Sequence, residues 1–226
     1  MCRILAVKSK QKLMPHELLG KFAVMAEMSR TLDNDRQKDG WGIAWLDEQL
    51  NWQEYRSLDA IWDDSEIEKF IDFPKTNIFL VHARSATYKS QIGEVSFNQP
   101  YTNHDLAYAF NGHLEGVRLN RPVKGQIGAE KIWNLMQEYS EEYKPIATLS
   151  KLYKNIQSNT NKIHGMDIVF SNRSEIYGLC SFTPNKTNPS YYQLESYNDN
   201  NLSFICSEKL EGYSSKKVPN GTILAL

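Results

Sequence analysis

The chain is poor in cysteine: Cys2, Cys180 and Cys206 are the only three in 226 residues. They form neither a paired framework nor a zinc spacing. A disulfide-stapled fold is therefore excluded, and a reducing cytoplasm is the expected compartment. Charge of one sign is lacking as well. The formal net charge is -1, which gives no general pull toward nucleic acid or an anionic membrane surface. No apolar run approaches the ~20 residues of a membrane span, and the N-terminus has no long apolar signal region, so export is not expected. Long linkers, low-complexity tracts and repeats are also missing. One domain over residues 2–226 is the expectation. What remains is ordinary globular material, 41% hydrophobic and 23% charged, sufficient to bury a substantial core.

Against that background the first residues stand out. Met1-Cys2 runs directly into Arg3-Ile4-Leu5-Ala6-Val7, which reads as a strand. Chain ends usually fray; here a thiol sits beside what reads as core. If Met1 is removed, as a small second residue generally permits, Cys2 carries a thiol and a free α-amine together. An α-amine titrates near ~7.7–8.0 and can take up the thiol proton, a nucleophile with its own base. The bland reading of Cys2 is a small apolar core residue.

The apolar periodicities predict the following elements. Pro15 to Leu32 reads as a helix with Leu18, Leu19, Phe22, Met25 and Met28 inside. Asp39-Gly40-Trp41-Gly42 reads as a turn before a strand over Ile43–Leu46, with a hairpin entry and buried Trp as the plain alternative. Asn51–Leu58 is a strand, Asp63–Phe70 a solvated acidic helix, and Asn77–Arg84 a strand. Ser90–Phe97 is a loop closed by Asn98-Gln99-Pro100-Tyr101. Leu106–Phe110 is a strand, and helices follow over Gly128–Tyr143 and Ile146–Ile156. The remainder reads as β, with strands over 166–171, 175–181, 191–197, 202–206 and 222–226 and turns headed by Asn172 and Asn185.

Two of these elements carry chemistry-bearing residues. Period-2 geometry puts His82 and Arg84 on one face at the end of an apolar strand. A buried guanidinium needs a partner. That partner is either a protein carboxylate or a ligand carboxylate, whose geometry it matches. Asn111-Gly112-His113 follows an apolar run. Asn-Gly there is a tight turn or, alternatively, an oxyanion hole built from the Asn111 side-chain amide and the Gly112 N–H. His82, His104 and His113 lack metal-ligand spacing and read as structural histidines, with no metal or cofactor expected.

Taken in order, these motifs resemble the class II glutamine amidotransferases of the N-terminal-nucleophile hydrolase superfamily, in particular a small stand-alone subgroup. The resemblance rests on Met1-Cys2, Asp39-Gly40-Trp41-Gly42, His82-Ala83-Arg84-Ser85-Ala86-Thr87, Asn98-Gln99-Pro100-Tyr101 and Asn111-Gly112-His113. Ser207-Glu208-Lys209-Leu210 and Val218-Pro219-Asn220-Gly221-Thr222 complete it. It implies an α+β fold, a four-layer αββα sandwich of two antiparallel sheets. It also implies catalysis by Cys2 with Asn111 and Gly112 at the oxyanion, and substrate binding by Arg84, Thr87 and Trp41. The implied substrate is glutamine or a γ-glutamyl amide, cleaved through a γ-glutamyl thioester. The ammonia goes to a separate synthase partner or is released. A stand-alone γ-glutamyl amide hydrolase and an inactive interaction protein are the alternatives.

There are two departures from the family pattern. The resemblance implies an Asp for the substrate α-ammonium at the start of a helix, where this chain has Gly128-Ala129-Glu130. Gly128 supplies no charge, and Glu130 reads as helix surface. A substrate without a free α-amine, or substitution by Asp105 or Glu115, would reconcile this. Gln99 stands where several family members have His and reads as tolerated.

Overall fold

A computed structural model describes residues 2–28, 35–67, 75–184 and 191–226. Two antiparallel sheets lie face to face with helices outside both, the αββα arrangement. The first sheet contains β1 (Arg3–Leu13), β2 (Trp41–Leu46), β3 (Trp52–Ser57), β4 (Thr76–Ala83), β9 (Glu195–Asn198), β10 (Leu202–Cys206) and β11 (Lys216–Lys217). Their order is β11-β9-β10-β1-β4-β2-β3. The second contains β5 (Tyr101–Thr102), β6 (Ala107–Val117), β7 (Thr160–Ser171), β8 (Ile176–Cys180) and β12 (Thr222–Ala225), in the order β12-β8-β7-β6-β5. Helix α1 (His16–Glu27) covers the first sheet; α2 (Gly128–Glu142) and α3 (Pro145–Ser158) cover the second.

The apolar run at the chain start has a direct physical reason. Side chains alternate along a strand, and the first part of β1, Arg3 to Val7, is buried on both faces. Leu5 and Val7 join the layer under α1, while Ile4 and Ala6 face the second sheet. A strand covered on both sides reads as continuous hydrophobicity. The layer between the sheets uses small side chains where they meet, Ala6 and Ala44 opposite Ala107 and Ala109.

Several sequence expectations need correction. Asn111-Gly112 is not a turn, because β6 runs straight through it to Val117 and pairs with β7 along that length. Helix α1 ends at Glu27, and Met28 is 70% exposed, so only Met25 is core. The acidic stretch after Asp63 is not a solvated outer element throughout. Asp64 is buried and accepts hydrogen bonds from Trp41 Nε1 (2.8 Å) and Tyr55 Oη (3.0 Å). The rest of that stretch past Ile67, and the turn at Asn185, lie outside the described residues. Asn172 does head a turn, its Oδ1 accepting from the Ser174 and Glu175 N–H groups. The two-residue strand β11 and the first half of β7 were not foreseen. β11 is an exposed Lys-Lys pair and the first half of β7 is mostly polar, so neither has an apolar alternation to betray it.

Candidate active site

Cys2 enters the inter-sheet layer on the face of β1 that carries Ile4 and Ala6. Three contacts hold it. Its nitrogen donates to Asn111 Oδ1 at 3.1 Å, its Sγ lies 3.9 Å from the Ser85 carbonyl, and its own carbonyl accepts from Arg3 Nη1 at 3.3 Å. Arg3 is itself fixed by an ion pair with Glu208 (2.7 Å) and by stacking 4.4 Å over the Tyr191 ring. Burial pushes the Cys2 thiol above its ordinary range, opposed by the positive chain terminus, the Ser85 contact and Arg84.

Asn111 reaches Cys2 because β6 carries it on the same face as Ala107 and Ala109. Its Nδ2 is buried without a full hydrogen bond and lies near Asp167, its cross-strand neighbour on β7. Burial pushes the Asp167 carboxyl well above the usual range.

The neighbouring Gly112 N–H points the other way, as the ladder shows. Phe110 N–H donates to Gln99 Oε1 (2.8 Å) and its carbonyl accepts from Gln99 Nε2 (3.2 Å). The Gln99 amide thus stands in for a strand beyond β5. Hydrogen-bonding direction alternates along a strand, so Gly112 N–H shares that edge with Phe110. The partner side agrees: Met166, opposite Gly112, donates instead to the Ser181 carbonyl at 2.7 Å. The glycine is required, because a Cβ here would come within 2.4 Å of the Gly165 carbonyl and 2.5 Å of the Phe110 ring.

Gln99 also lies 3.2 Å from His82 Nε2. Burial, with Arg84 nearby, drives His82 down to about 3, so the imidazole is neutral. Arg84 follows on the same face, 4% exposed, 5.6 Å over the Phe97 ring, with Nη1 buried and unpartnered. The turn at residues 39–42 supports this segment. Asp39 N–H donates to the Arg84 carbonyl (2.9 Å), Arg84 N–H to the Gly40 carbonyl (2.8 Å), and Ala86 N–H to Asp39 Oδ2 (2.7 Å). Gly40, at φ +108°, leaves room for Asn98, whose Nδ2 would lie 2.1 Å from a Cβ there.

Cys2, His82, Arg84, Thr87, Gln99 and Gly112 line one cavity of about 310 Å³. Asn111 sits behind it, against Cys2. Trp41 is a correction. It is fully buried on the opposite face of the first sheet, under α1, and bonded to Asp64, so it does not reach the cavity. Asp105 and Glu115 are also placed elsewhere, with Arg173 and His164 respectively. Glu130 turns back to accept from the Gln126 and Ile127 N–H groups at the start of α2. Arg3, Asp167 and Glu208 were not singled out from the sequence as site residues. The signal was available for two of them, since Arg3 and Asp167 each interrupt an apolar run, where a charge needs a partner. Among the described residues no group of three or more His, Cys, Asp or Glu could hold a metal ion. No described helix is long and apolar enough to cross a membrane.

Known proteins share this architecture. A glutamine aminotransferase class-II domain protein from Silicibacter pomeroyi is similar over 99% of this chain and 94% of its own, with a TM-score of 0.67 at 14% identity. A predicted glutamine amidotransferase from Pseudomonas aeruginosa PA01 is similar over 99% and 96%, with 0.58 at 13%. The glutamine phosphoribosylpyrophosphate amidotransferase of B. subtilis gives 0.64 at 16%. In that comparison 99% of this chain covers only 47% of the larger enzyme. At these identities the likeness is one of fold. No curated protein sequence matches the chain. The family of class-II glutamine amidotransferases, however, matches residues 1–201. With that match across most of its length, the chain belongs to the class-II glutamine amidotransferases.

Proposed function

We propose that the chain is an amidohydrolase of N-terminal-nucleophile type that cleaves the side-chain amide of glutamine or of a γ-glutamyl compound. One observation carries this reading: the Cys2 nitrogen is held by Asn111 while Cys2 lines the same cavity as Arg84 and Gly112. After removal of Met1, Sγ attacks the amide carbon and its proton passes to the α-amine of the same residue. The oxygen that becomes negative is met by the Gly112 N–H, with the Asn111 amide beside it. The amine proton leaves with the nitrogen as ammonia, giving a γ-glutamyl thioester. Water attacks the thioester, releasing the γ-carboxylate and restoring the thiol. Arg84 takes the substrate's free carboxylate in bidentate fashion, with Thr87 beside it. The released ammonia is available to a separate acceptor enzyme.

The test is ammonia release by wild-type and Cys2→Ala protein, with the N-terminal mass recorded. Loss of Met1 together with loss of turnover in the variant is expected. Wild-type turnover in Cys2→Ala rules the chemistry out.

A further inference from the structure

Positive charge dominates the cavity beside Cys2. Arg84 and Lys131 line it, and no carboxylate is found among its described lining residues. The nearby acids are engaged in local contacts. Glu130 caps α2, Asp39 Oδ2 accepts from the Ala86 N–H, and Asp35 Oδ1 accepts from the Ser85 hydroxyl at 2.7 Å. An ammonium entering this space would lose its water beside a buried guanidinium and gain no counter-ion, a costly exchange. A carboxylate, by contrast, meets a cavity wall that carries the Arg84 guanidinium, whose buried Nη1 has no protein partner.

The part of the wall toward α2 is mainly apolar. Leu114, Leu119, Ile127, Ile132 and Leu135 line the side toward α2. At about 310 Å³ the cavity falls within the usual range for small-molecule sites. Gly128 lies on its rim, with no heavy atom within 4 Å of where a Cβ would be.

We infer that the substrate is a side-chain carboxamide bearing a free carboxylate for Arg84 and, in place of an α-ammonium, an uncharged apolar arm laid on the α2 wall; N-acylated glutamine is the simplest member of the class. The inference rests on the Cys2 amidase reading. The reaction balances as that hydrolysis does, with N-acylglutamine and water giving N-acylglutamate and ammonia. The acyl–nitrogen bond is untouched.

The experiment measures kcat/KM for ammonia release from L-glutamine and from its N-acetyl, N-butanoyl and N-hexanoyl derivatives, using the full chain. The N-acyl compounds should exceed glutamine by tenfold or more. The rate should rise about three- to four-fold per added methylene until the wall is filled. Gly128→Asp adds a carboxylate where space is open and should cut the N-acyl-to-glutamine ratio at least tenfold. The chain-length series on wild-type protein stands alone if that variant fails to fold. Cys2-dependent hydrolysis of glutamine, with every N-acyl compound slower, overturns the inference and leaves the amidase reading standing. No ammonia from any of the four compounds overturns both.

Discussion

Arg84→Met separates function from stability at this site. Arg84 is 4% exposed, and its Nη1 has no partner. A buried polar group without a partner costs about 1–3 kcal/mol, and methionine removes that cost while filling much of the same volume. Against this, the variant loses the stacking of the guanidinium 5.6 Å over Phe97, worth roughly 0.5–2 kcal/mol. The balance lies between about 1 kcal/mol against the variant and about 2.5 kcal/mol in its favour. For a chain of this size each kcal/mol moves Tm by about 2–4 °C. Thermal unfolding followed by tryptophan fluorescence should therefore show Tm between about 4 °C lower and about 10 °C higher than wild type. Activity should fall whatever the sign of that shift. Truncating one partner of a desolvated charge pair costs about 2–5 kcal/mol, or roughly 30-fold to several thousand-fold in kcat/KM. Coupled detection of released ammonia reads this directly. A Tm lowered by more than about 4 °C, with kcat/KM within three-fold of wild type, would refute the argument. It would mean that Arg84 is a structural cation and not the seat of a substrate carboxylate.

Asn111→Ala should lower kcat about 100- to 1,000-fold, since it removes the support of the Cys2 nitrogen and, on the proposed mechanism, an amide beside the oxyanion; a loss under tenfold in stopped-time assays would contradict that role. Gly112→Ala drives a methyl against the Gly165 carbonyl and the Phe110 ring, and a Tm lowered by several degrees is expected from overpacking of about 1–3 kcal/mol. Because the His82 pKa is depressed to about 3 in the fold and sits near 6.5 when unfolded, the unfolded chain binds the extra proton between those values. His82 therefore leaves stability intact above about pH 6.5 and erodes it on acidification, by at most ~1.4 kcal/mol per pH unit. His82→Gln should flatten the slope of Tm against pH between 6.5 and 4.5, and an unchanged slope would show that His82 does not contribute. Iodoacetamide should modify Cys2 alone in the native protein, faster as pH rises past 9, because Cys180 and Cys206 are buried and pushed up to about 12; peptide mapping that finds either of those labelled first would count against the placement of Cys2.

Strand content and the buried start of β1 were legible because alternation and apolar runs are local properties. The run Ile4–Val7 can only be a strand covered on both sides or a piece of buried helix, and its shortness favours the former. The first half of β7 was illegible because Thr160–Lys162 are polar and lie at the end of the sheet, where cross-strand pairing holds them and only Ile163 packs against the core. Asn111-Gly112 misled for a related reason. The dipeptide favours a turn locally, yet the cross-strand ladder to Asp167 and Met166 overrides that preference.

The residues alone determined which chemistry was available: one thiol at the chain start, an arginine closing an apolar strand, an Asn-Gly pair, and glycines spaced to let backbones approach. Their covalent character and local periodicity are properties of sequence. Only the tertiary structure decided which of them meet. It brought Asn111 within 3.1 Å of a nitrogen 109 residues away, turned Trp41 to the far face of its sheet, and left Arg84 facing a cavity with no described carboxylate on its wall. The physical reason is that strand order and register set these meetings, and both depend on long-range pairing that minimises unpaired backbone and exposed apolar surface across the whole chain.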